Sequence, residues 1–129
     1  MRTMMTSKIS NFTNDLINRI HNVNANLQNV DVDAEIISKN IQELMQGNGI
    51  KILNSIDELS TGYFLFYNTK GFVLVHDEQG LAKQNPISED KACEILSLYY
   101  ACRILSQIPK YYDKEIIKRI KQLILKVQE

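Results

Sequence analysis

The segment that most restricts the fold is Tyr63-Phe64-Leu65-Phe66-Tyr67, followed by the turn Asn68-Thr69-Lys70-Gly71 and then Phe72 to His76. Two runs of aromatic and β-branched residues, separated by a turn with Asn first and Gly last, read as an antiparallel hairpin, because Gly supplies the positive φ that such turns often need. A strand wetted on one face alternates apolar with polar residues. Tyr63 to Tyr67 does not alternate, so both faces are expected to be covered by helices, unless one is left open as a docking surface.

The flanking sequence has helical rather than strand periodicity. Ile9, Phe12, Leu16, Ile20, Val23 and Leu27 recur at steps of three and four, which predicts a first helix from about Ser7 to about Asn29, capped by Thr6 or Ser7, with residues 1–6 flexible ahead of it. At 100° per residue these positions span roughly 80°, the width of a coiled-coil seam rather than of a helix sunk in a core. Asn11, Asn14, Asn18, Asn22 and Asn29 fall on the opposite side, where asparagine adds little helix propensity and packing must supply the stability. A second helix is signalled by Asp31 or Asp33 as cap, by Ile37, Ile41, Leu44 and Met45 on one side, and by Gly47-Asn48-Gly49 as stop. The short connection predicts that the two helices pack antiparallel.

Ile50 to Leu53 is a short strand candidate. A third helix is expected from Ser88 to just before Pro109, with Glu89 and Asp90 at its positive start and apolar residues around almost its whole circumference, as suits a central core helix. The fourth, from about Asp113 to Val127, carries Ile116, Ile117, Ile120, Leu123, Ile124 and Val127 on one arc and Lys114, Lys118 and Lys121 on the other side. The expected fold is one mainly helical α+β domain over 1–129. It comprises two amino-terminal helices, a central antiparallel hairpin with room for a third strand, and two carboxy-terminal helices.

Fifteen basic and fifteen acidic residues leave no net charge, which removes the simplest electrostatic case for nucleic acid or an anionic membrane as an obligatory partner. No apolar run approaches the roughly 20 residues that a membrane helix needs. Cys93 and Cys102 lie in one predicted helix on opposite sides and about 13.5 Å apart along its axis, too far to bridge. Reduced thiols and a cytoplasmic setting follow.

The catalytic and metal signatures fail on inspection. Asp31-Val32-Asp33-Ala34-Glu35 begins like a calcium loop, but Ile36 stands where that loop needs Gly for its sharp turn. Gly47-Asn48-Gly49 follows a helix and lacks the Lys-Ser/Thr of a phosphate loop. His76-Asp77-Glu78 offers a general base with nearby acids, but no second histidine lies close in sequence. No catalytic residue, metal or cofactor is therefore expected.

The expected function is binding of another protein or of a second copy, as an adaptor, chaperone, inhibitor or immunity protein, or subunit of an assembly. Its candidate contacts are Phe12, Leu16, Ile20 and Val23 on the first helix, Tyr63 and Leu65 on the hairpin, and Tyr111, Tyr112 and Leu125 at the last helix, where Leu125 projects into the lysine row. The alternative is contact with nucleic acid through Lys114, Lys118 and Lys121.

Overall fold

A computed structural model describes residues 2–53, 60–78, 81–105 and 114–128. Helices α1 (Arg2–His21) and α2 (Ala34–Met45) lead into four strands, β1 (Ile50–Leu53), β2 (Ser60–Asn68), β3 (Gly71–Glu78) and β4 (Leu81–Ile87), and helices α3 (Glu89–Leu105) and α4 (Lys114–Gln128) follow. The strands form one antiparallel sheet in the order β1-β2-β3-β4. The mainly helical α+β class is as expected, with four strands in place of a hairpin or three.

The hairpin sits where the turn chemistry puts it. Asn68 Oδ1 accepts from the Lys70 amide at 2.8 Å, Asn68 pairs with Gly71, and Gly71 adopts φ +117°. In the ladder Tyr63 faces His76, Leu65 faces Leu74 and Tyr67 faces Phe72, so these six side chains share the inner face. Phe64 opposite Val75 and Phe66 opposite Val73 share the outer one. β4 adds Lys83, Asn85 and Ile87 to the inner face opposite His76, Leu74 and Phe72. It is an edge strand, where Pro86 can do without a backbone donor.

The helices line up beside one another as α2-α1-α3-α4, with α2 against β2, α3 against β1 and β3, and α4 against β4. One continuous core joins the stripe Ile9, Phe12, Leu16 and Ile20 to Ile37, Ile41 and Leu44 of α2, to the inner sheet face and to α3. The Phe12 and Phe72 rings stack with centroids 5.4 Å apart. Nine residues of α3 are buried, including Leu96 and Leu98 on different sides, as a central helix requires.

Local chemistry sets the helix ends. Asp33 Oδ1 accepts from the amides of Glu35 and Ile36 at 3.0 and 3.2 Å and caps α2. Ser88 Oγ accepts from the Lys91 amide at 3.0 Å and caps α3. α1 departs from expectation at both ends. It begins at Arg2 rather than near Ser7, so Thr6 and Ser7 are helical and not caps, and it stops at His21 instead of running to Asn29. Asn24 breaks the run: its extended backbone and side chain, which accepts from the Asn26 amide, start a separate single turn of 3-10 helix at Ala25–Leu27.

Candidate interaction surfaces

Most of the sequence-predicted contact residues are not on the surface. Phe12, Leu16, Ile20, Tyr63 and Leu65 are at most 5% exposed, and all five lie in the chain's own core. The narrow stripe of α1 is satisfied by α2, α3 and the sheet, so its partner is intramolecular. Val23 is half-buried against the same core. Tyr111 and Tyr112 lie outside the described residues. Leu125 is exposed, as are Lys118 and Lys121, while Lys114 opens α4.

The outer face of the sheet carries apolar side chains that belong to no part of the main core. Phe64, Phe66 and Val75 are half-buried and Val73 is buried, yet none joins the cluster that links helices to the inner face. The Phe64 and Phe66 ring centroids are 6.4 Å apart, and Lys51 Nζ stands 5.9 Å from the Phe64 centroid, within cation-π range. The Phe66 ring packs against Gly49, where a Cβ would overlap its Cε1 and Cζ atoms. Gly49 therefore has a packing role beyond stopping α2. Pro86, exposed and opposite Val73, extends this face towards the sheet edge.

A second surface lies between α3 and α4, a groove of about 420 Å³ lined by Glu94, Leu98, Arg119, Leu123, Leu125 and Lys126 among others. Leu98 is fully buried, whereas Leu125 is 48% exposed at the rim. Arg119 Nη1 donates to the Val23 carbonyl at 3.3 Å, tying α4 to the end of α1.

A larger groove of about 670 Å³ runs between α1, from Ser7 to Arg19, and the start of α3. Its charges are satisfied internally: Arg19 pairs with Asp90 and, at 3.4 Å, with Asp15. The hydrogen bond from Arg19 holds the Asp90 carboxyl below its ordinary range. Lys8 Nζ donates to Tyr67 Oη at 2.9 Å, and this bond raises the ammonium above its usual value despite some desolvation. Beneath the groove, Cys93 Sγ donates to Asp15 Oδ2 at 3.5 Å, and burial, followed by the nearby Asp15 charge, pushes the thiol up to about 12. Such a thiol is a poor nucleophile at neutral pH.

Comparison with protein-family models, with curated proteins and with solved structures finds no significant match to this chain. Its own geometry therefore carries the functional reading.

His76, which with its acidic neighbours suggested a general base, lies inside the fold. It is 4% exposed on the inner face and stacks on Tyr63 with centroids 5.1 Å apart, closed off from a substrate. Among the described residues no group of three His, Cys, Asp or Glu side chains is placed to hold a metal ion. No helix among them is long and apolar enough to cross a membrane. Sequence reasoning passed over one exposed apolar residue, Ile36 on α2, 58% exposed. The signal was present: Ile36 is about 100° away from Ile37, outside the stripe of that helix.

Proposed function

We propose that this chain is a non-enzymatic protein-binding protein, an adaptor, inhibitor or assembly subunit of the cytoplasm, that offers the outer face of its sheet to another protein. The observation that carries this reading is the Phe64, Phe66, Val73 and Val75 cluster, which stands apart from the core and is covered by no helix among the described residues. Aromatic side chains held in fixed orientation bury large areas at small entropic cost, which is why they recur at binding hot spots. The close approach of the Phe66 ring to Gly49 supports that fixity.

The test uses the Phe64→Ser/Phe66→Ser double variant beside the unaltered protein, both tagged, nuclease-treated and washed in high salt. A stoichiometric partner retained by the unaltered protein, then purified and titrated calorimetrically, is expected to bind the double variant at least about tenfold more weakly. Equal affinity for a variant of unchanged circular dichroism rejects the outer face as the site. The lysine row of α4 supports an alternative reading, contact with nucleic acid, through the exposed Lys118 and Lys121. Leu125, in the middle of that row, favours a protein there instead.

A further inference from the structure

Among the described residues two large apolar side chains stand mostly in water, Ile36 at 58% and Leu125 at 48% exposure. They occupy the two flanking helices of the layer, α2 at one end and α4 at the other. Their surroundings have opposite charge. Around Ile36, Asp31, Asp33, Glu35 and Glu43 face only Lys39 within residues 31–45, a net of −3. Around Leu125, Lys114, Lys118, Arg119, Lys121 and Lys126 face only Glu115 within Lys114–Gln128, a net of +4.

Among the described residues neither field is neutralised at close range. Among the described residues Asp31, Glu35 and Glu43 make no ion pair, and neither do Lys118, Lys121 and Lys126. Each flank thus joins an exposed aliphatic side chain to unspent charge, and the two are complementary in sign.

We propose that these flanks bind each other between copies: α2 of one molecule docks on α4 of the next, with Ile36 against Leu125 at the mouth of the α3/α4 groove. Burying the two aliphatic side chains supplies the attraction, and the carboxylates of α2 facing the cations of α4 set the orientation and hasten encounter. α2 and α4 flank opposite ends of the layer, so one molecule does not turn both towards the same partner, and the contact is not a two-fold one. A contact between two different patches leaves a free α2 at one end and a free α4 at the other, so association continues into a ring or an open chain. This self-association uses neither Phe64 nor Phe66 and stands apart from the proposed role of the sheet.

The experiment is light scattering and sedimentation of the full chain across concentration, in low and high salt, with Ile36→Lys and Leu125→Glu as variants. Both positions are exposed, so circular dichroism and Tm are expected to stay unchanged. The unaltered protein is expected to gain mass with concentration in low salt and to lose that gain in high salt, where exposed charges are screened. Each variant alone should associate at least about tenfold more weakly. Mixing the two is the decisive step. Ile36→Lys keeps an intact α4 and Leu125→Glu an intact α2, so the mixture should form a dimer that neither forms alone and should stop there.

A strict monomer at every concentration overturns the proposal, as does a mixture that fails to pair. An effect of Leu125→Glu without one from Ile36→Lys also overturns it, since α4 would then have another partner. The fourth adverse outcome is a monomer that binds a DNA duplex and loses the binding in Lys118→Gln/Lys121→Gln, which would give the ridge to nucleic acid.

Discussion

The two faces of the sheet are built from the same strands and nearly the same residue chemistry, yet they have different fates. Leu65, Leu74, Tyr63 and Phe72 lie in the core under four helices, whereas Phe64, Phe66, Val73 and Val75, one step away in sequence, form a separate cluster. Apolar content does not separate them. Connectivity does: an antiparallel meander needs no crossover helix, so helices before β1 and after β4 can both return to one side. Among the described residues the helical layer then covers the inner face alone.

The largest expected effect sharpens this contrast. Leu74→Ala, on the inner face and wholly buried, is expected to cost about 3 to 4 kcal/mol in urea unfolding, and Val75→Ala next to it about 1 kcal/mol or less. Similar losses at the two positions would mean that the outer face is as tightly packed as the inner one.

An intermediate effect is expected at Gly49→Ala, whose new methyl must displace the Phe66 ring at a cost of roughly 1 to 2 kcal/mol. In a double-mutant cycle, Phe66→Ala should remove most of that penalty, because it takes away the colliding ring. An undiminished penalty would place the strain in the Gly49 backbone instead.

A further effect, confined to alkaline pH, concerns the closed side alone. The Cys93 thiol, raised to about 12 from an ordinary value of 9.0, should resist alkylation near pH 8 until the protein unfolds. In the interval between those values the unfolded chain releases a proton that the folded chain retains, so stability falls as pH rises through it. Cys93→Ser is expected to flatten that alkaline fall in a denaturation series. Labelling of Cys93 in the native protein at pH 8 would show that this side of the molecule opens readily.

The hairpin, its turn and the central helix could be read from residues alone, since Asn68, Gly71 and the all-round apolar pattern of α3 act locally. β4 could not. Leu-Ala-Lys-Gln-Asn-Pro-Ile lacks the alternation of a strand because it lies at the sheet edge, where Lys83 and Asn85 can take inner-face positions near water. The stripe of α1 was visible but its partner was not: an apolar seam has the same spacing whether a neighbour in the same chain or in another covers it. Leu125 stood out because a leucine amid lysines is a local contradiction. Ile36 was masked by Ile37 beside it, which belongs to the core.

The lateral order of the helices also bears on how the chain emerges from the ribosome. α1 is made early but sits between α2 and α3, and its Arg19 pairs with Asp90, 71 residues later. At about 5 to 20 residues per second, the stripe of Ile9, Phe12, Leu16 and Ile20 waits roughly four to fifteen seconds for α3 to be synthesised. During that interval an apolar stripe that the finished protein buries stands open to other chains.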